Sequence, residues 1–213
     1  MIVMSNNNLI ISIGRECGSG GLEIGQKLAD HYNIKLYDRN ILNILAENTD
    51  EDTDKLAKIE EKVSGHLLSF VRNGFSEDMQ TMMSKLTKTD QLFLREKALI
   101  EHLVNTESFV IIGRAANAII PDAPNVLKLY IYANDEFKIP RVKEYYHLDT
   151  DKDALKKMSQ IDKTRKDYFN YYSDMAWGST DGHDFMINSA VLGIDKTVDL
   201  IIQLAEMKIK ANA

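Results

Sequence analysis

Four of the eleven glycines fall within eight residues, in the segment Gly14-Arg15-Glu16-Cys17-Gly18-Ser19-Gly20-Gly21-Leu22. An apolar run, Leu9–Ile13, leads into it, and a helix-patterned run, Leu22–Tyr32, leads out. Glycines at such a junction let successive backbone N–H groups turn to one side, and the first amides of the helix add partial positive charge. Together they make an anion site suited to phosphate. A tight turn that binds nothing is the plainer reading, but it needs fewer glycines. Two loop chemistries compete. Gly14, Gly18 and Gly20 read as a GxxxGxG dinucleotide loop, with Asp38 at the end of the second strand as its ribose-binding acid. A short-chain dehydrogenase would also need Tyr-x-x-x-Lys, and none of the nine tyrosines has lysine four residues on. Read instead against GxxxxGK[ST], the window Arg15–Leu22 keeps Gly20 but puts Gly21 at the lysine and Leu22 at the hydroxyl position.

Other side chains narrow the chemistry. Lys plus Arg number 26 against 32 Asp plus Glu, a net charge of −6, which disfavours sequence-independent binding to long nucleic acids. Within that acidic chain, Thr150–Tyr172 is a basic island carrying Lys152, Lys156, Lys157, Lys163, Arg165 and Lys166. A solvated helix face is the plainer reading, and a local basic patch could also hold a small phosphorylated ligand. The five histidines are scattered, with no HExxH or CxxC spacing, so no dedicated transition-metal site is expected. Cys17 is the single cysteine, which excludes an internal disulfide and agrees with a reducing compartment. Its place near a helix N-terminus would lower its thiol pKa, while packing would leave it inert. The longest apolar runs are too short to span a bilayer, and Met1–Asn8 lacks signal-peptide character, so a soluble cytoplasmic protein without membrane partners is expected.

These residues need a scaffold to bring them together. The 213 residues fit a single domain. Five short runs read as strands: Leu9–Ile13, Lys35–Tyr37, Phe109–Ile112, Val126–Tyr132 and Phe185–Asn188. Their nearly continuous apolar character suits strands buried on both faces of a parallel sheet. Helical patterns alternate with them over Leu22–Tyr32, Asn40–Asn48, most of Thr53–Asn105, Thr150–Tyr172 and Asp195–Lys210. That alternation predicts an α/β sandwich. The acidic run Asp50–Asp54 reads as a solvated helix start, and Met79, Met82, Met83 and Leu86 as packing residues.

The order of the short segments resembles the cytidylate kinase-like family. They are Ile11-Ser12 through Gly20-Gly21; Tyr37-Asp38-Arg39; the strand ending Gly113-Arg114-Ala115; Pro121-Asp122-Ala123-Pro124; Asp162-Lys163-Thr164-Arg165; the cluster Tyr168, Tyr171, Tyr172, Trp177, Gly178; and Asp184 to Ser189. The resemblance covers about residues 9 to 205. It implies a three-layer P-loop NTPase-type sandwich around a five-stranded parallel sheet. The core would be 9–48, 106–149 and 184–210, with a helical acceptor-binding insert at 49–105 and a lid at 150–183. It implies phosphoryl transfer from ATP to CMP or dCMP, with Mg²⁺ carried on the phosphates and Asp38 able to reach it through a water.

By the same resemblance, Cys17, Gly18, Ser19, Gly20, Gly21 and Leu22 would hold the ATP phosphates. Arg15, Arg114, Arg141 and Arg165 would supply the charge that the absent lysine does not. Asp38, Arg39, Arg114 and Asp162 would bind the acceptor. Gly21 and Leu22 replace basic positions, and Ala115 stands where cytidylate kinases carry an acid. A nucleotide-binding protein with weak or no kinase activity, or a kinase for another small acceptor, is therefore the alternative, with an NAD(P) dehydrogenase behind it. The stretch Thr53–Asn105 offers a surface for a homodimer.

Overall fold

The computed structural model describes residues 8–40, 42, 45, 76, 78, 81 and 84–211. The acidic run 50–54, Met79, Met82, Met83 and most of the expected helices over 40–48 and 53–87 lie outside the described residues. Leu86 is exposed rather than packed.

Five strands, β1 (Ile10–Arg15), β2 (Lys35–Tyr37), β3 (Phe109–Ile112), β4 (Val126–Tyr132) and β5 (Phe185–Asn188), form one sheet in the order β2-β3-β1-β4-β5. Every pairing is parallel. This is the expected α/β architecture. Buried Ile and Val dominate the three central strands because both faces are covered. β1 runs two residues past the expected Ile13, with Gly14 opposite Tyr130 and Arg15 opposite Ile131. Arg15 therefore leaves a strand end, not the loop itself.

The strand order also bears on the dinucleotide reading. A ribose-binding acid in that fold ends the strand beside β1. Here β3 lies between β1 and β2, so Asp38 is one strand too far out. That finding counts against a dehydrogenase.

Helices make the outer layers. On one face α1 (Gly21–Tyr32) and α6 (Ser189–Ala211) cover Ile11, Ile13, Val110, Ile112 and Leu129 with Ile24, Leu28, Val198 and Ile201. On the other, α2 (Lys88–Thr106) and the short α3 (Ala116–Ile119) cover Ile10, Phe109 and Ile111 with Leu99, Ile100 and Leu103. Leu42 and Leu45 join this second cluster. Gly193 (φ 73°, ψ 174°) breaks α6 near its start, so the long helical run begins close to the expected Asp195.

Two further helices stand over the carboxyl ends of the strands. They are α4 (Asp135–Tyr146), N-capped by the Asn134 side chain, and α5 (Asp151–Tyr172), N-capped by Thr150. His147 in the left-handed region closes α4, and the chain reverses into α5. Val142 of α4 and Ala154 and Met158 of α5 meet Cys17 in a third, smaller cluster. That contact seats α5 against the glycine loop. Among the described residues no helix is long and apolar enough to cross a membrane.

Candidate active site

The glycine loop is held from beneath. Ser19 Oγ donates to the Glu16 carbonyl at 2.9 Å, and Ser189 Oγ donates to the Ser19 carbonyl at 2.7 Å. Lys138 Nζ donates to the Glu16 carboxylate at 2.9 Å. Ser19 and Lys138 are buried and engaged in fixing the turn. Gly18 and Gly20 have φ of 80° and 81°, where an L side chain is strained. Packing adds to that: a Cβ on Gly18 would stand 2.8 Å from Val142 Cγ2, and one on Gly20 would overlap Ile194. The turn delivers the chain into α1 with an open N-terminus. Among the described residues the amides of Gly20, Gly21 and Leu22 have no acceptor. Leu22 is half-exposed and lines the adjoining cleft.

One loop amide is already engaged. Cys17 N–H donates to both carboxylate oxygens of Asp162 on α5, at 2.8 and 3.1 Å. Asp162 also pairs with Arg165 at 3.0 Å. Burial nevertheless holds its carboxyl above the usual range, outweighing that cation. Burial likewise pushes the Cys17 thiol up, so the lowered value expected from a helix N-terminus is not met, and Cys17 is a packed side chain.

A cleft of about 490 Å³ opens beside the loop, within the range of small-ligand sites. Arg15, Arg39, Arg114, Lys157 and Arg165 line it, with Asp38 as the only lining carboxylate among the described residues. The Arg15 guanidinium crosses Gly113, where a Cβ would overlap it. Among the described residues it has no hydrogen-bond or ion-pair partner. Burial, and then the neighbouring Arg165 cation, pull its pKa from 12.5 to about 9. It stays charged at neutral pH, but its charge is under-compensated and an anion would relieve it. Arg165 donates to the Arg15 carbonyl at 3.3 Å, tying α5 to the end of β1.

Arg114 is held differently. Its guanidinium meets Glu96 of α2 at 2.8 Å, with both side chains under one-tenth exposed. The Tyr168 hydroxyl donates to the other Glu96 oxygen at 2.9 Å, and Arg114 lies 5.0 Å from the Tyr168 ring centre. Gly113, Arg114 and Ala115 are three successive positive-φ residues (77°, 58°, 52°), two of them not glycine. Such strain costs about 1–3 kcal/mol per residue and persists only where the surroundings enforce it. The buried pair with Glu96 is such an anchor.

Arg141 departs from the expectation of converging arginines. It does not line the cleft; it ion-pairs with Glu23 and lies 5.4 Å from the Phe137 ring, beside Gly20. Arg15, Arg114 and Arg165 do come together, joined by Lys157 and Arg39. Tyr130, Trp177, Asn117 and His183 also line the cleft, with Tyr130 and His183 against Gly14. Trp177 packs edge-on against Tyr130, with ring centres 5.6 Å apart. Asn117, His183 and Glu96 were not anticipated. The first two lie 66 positions apart in no motif. Glu96 had a signal: it falls on the buried stripe with Leu99, Ile100 and Leu103.

Over residues 10–191 the sequence matches the cytidylate kinase-like family. The chain belongs to that family. Its five-stranded parallel sheet, covered by helices on both faces, is an α/β architecture, and the family match is what points to small-molecule kinase chemistry. No curated protein matches this cytidylate kinase-like chain. Among solved structures it is similar to an uncharacterized protein from Eubacterium ventriosum ATCC 27560, at 31% identity and TM-score 0.71 over 93% of this chain and 99% of that one. It is also similar to shikimate kinase from Bacteroides thetaiotaomicron, at 13% identity and TM-score 0.49 over 93% and 98%. A gluconokinase from Sinorhizobium meliloti 1021 matches at 11% identity and TM-score 0.45 over 97% and 93%.

Proposed function

We propose that this protein transfers a phosphoryl group from ATP to a nucleoside monophosphate, CMP or dCMP first among them. The observation that carries the reading is the Arg15 guanidinium, charged and without a partner among the described residues, in a cleft beside the open N-terminus of α1. Phosphoryl transfer asks a protein for positioning and for positive charge around the transferring oxygens. In this reading the amides of Gly20, Gly21 and Leu22 hold donor phosphates. Arg15 and Arg165 face the transferring group and take over the charge that Gly21 cannot supply. Arg114, fixed by Glu96, and Arg39 grip the acceptor phosphate, for which the planar fork of arginine is suited. Asp162 orients Arg165. An ionised acceptor phosphate needs no separate base.

The donor set fits a magnesium ion brought in on the phosphates. Asp38 is the one carboxylate on the described wall, and no group of three His, Cys, Asp or Glu among the described residues could hold a metal. When bound, the ion would neutralise phosphate charge, with Asp38 reaching it through a water.

A coupled ADP-release assay across CMP, dCMP, UMP and AMP with Mg-ATP tests the proposal. Turnover with at least one is expected, falling about 10²-fold or more in Arg15→Ala. No turnover with any acceptor at high enzyme concentration removes the kinase reading.

A second reading, a nucleotide-binding protein with little catalysis, is favoured by one contact: the Asp162 carboxylate holds the Cys17 amide that a phosphate would use. Thermal stabilisation by ATP without ADP formation selects it.

A further inference from the structure

We infer that Asn117 is a specificity-determining residue that accepts a hydrogen bond from an amino group on the acceptor's base, selecting cytosine- or adenine-type bases over keto bases. The inference rests on the nucleoside-monophosphate reading above and deepens it.

Ser179 fixes the tautomer of His183. Its carbonyl oxygen lies 2.9 Å from His183 Nδ1. A carbonyl only accepts, so Nδ1 carries the hydrogen. Burial pushes the His183 pKa below its ordinary value, so the ring is neutral and Nε2 keeps its lone pair. Asn117 Nδ2 lies 3.2 Å from that Nε2, and only an N–H can face it. The same Nδ2 lies 3.4 Å from the Gly182 carbonyl, a second acceptor. Both neighbours therefore demand the same amide orientation. The NH₂ end is held by the protein, and Oδ1 has no partner among the described residues.

Asn117 is 5% exposed and stands in the cleft wall with Tyr130 and Trp177. An acceptor oxygen fixed on the cleft wall favours a ligand that brings an N–H to it and opposes one that brings another oxygen. Cytosine and uracil differ at one such position, amino against keto, and so do adenine and hypoxanthine.

Calorimetric binding of CMP against UMP, and AMP against IMP, tests this on the full chain. Wild type is expected to prefer the amino base in at least one pair by about tenfold or more. Asn117→Leu brings that ratio close to one. Asn117→Asp, which keeps an acceptor oxygen, retains it. His183→Phe, which removes the group fixing the amide, lowers the ratio with Asn117 intact, and it keeps the test open should the leucine variant not fold. Equal affinity within both pairs, or a ratio unmoved in Asn117→Leu or His183→Phe, overturns the inference alone. No binding of any of the four monophosphates overturns it together with the nucleoside-monophosphate reading.

Discussion

Glu96 sits on the apolar stripe of α2, one turn before Leu99 and Ile100, and is as buried as they are. Its carboxylate meets Arg114 and takes the Tyr168 hydroxyl, so one residue joins α2, the turn after β3 and α5. Removing one member of a buried ion pair leaves the other charge uncompensated, a loss of about 3–5 kcal/mol. Glu96→Ala is expected to lose that much in urea unfolding, and a loss under about 1 kcal/mol would show that Glu96 does not anchor the turn. A charge on a helix's apolar stripe was visible in the sequence, but its partner was not. Arg114 is 18 positions away, and the turn that aims it depends on two non-glycine residues with positive φ. Arg15 shows the converse. Its type was legible as a phosphate ligand, yet its place at a strand end and its path over Gly113 follow from the register of β1 on β4.

The basic island resolves at the scale of α5. Lys157 and Arg165 turn into the cleft, whereas Lys152, Lys156 and Lys166 are exposed and Lys163 pairs with Asp167 one turn on. One helix thus presents a solvated face and a face toward the cleft. Composition shows the charge but not which stripe packs. The same helix carries Asp162, which occupies the Cys17 amide as a phosphate oxygen would. Releasing that amide is expected to strengthen binding of inorganic pyrophosphate about tenfold in Asp162→Ala, the worth of one charge-assisted hydrogen bond. Titration calorimetry reads it directly. Unchanged or weaker binding would mean that Asp162 and the phosphate do not compete, and that its role is to orient Arg165.

Across the whole molecule, His183 bridges distant parts of the chain through Asn117, Ser179 and the edge of Tyr130. Its pKa is lowered from 6.5 by burial, so the unfolded chain binds a proton before the native one does. The stability that neutral His183 contributes is complete above pH 6.5 and is lost as pH falls through the folded value. Urea midpoints from pH 8 downward are expected to fall across that window in wild type and more shallowly in His183→Gln; equal slopes would take His183 out of the account. The sequence alone determined the α/β class, the five strands to within two residues and the glycine-rich turn between the first strand and the first helix, because apolar runs and glycine spacing are local properties. Tertiary structure decided that β3 separates β1 from β2, that Arg141 turns to Glu23, and that Asp162, Glu96 and Asn117 meet the loop, the arginine and the histidine they serve. Those are contacts between residues far apart in the chain, and only packing on both faces of a twisted sheet fixes which of them come within hydrogen-bond reach.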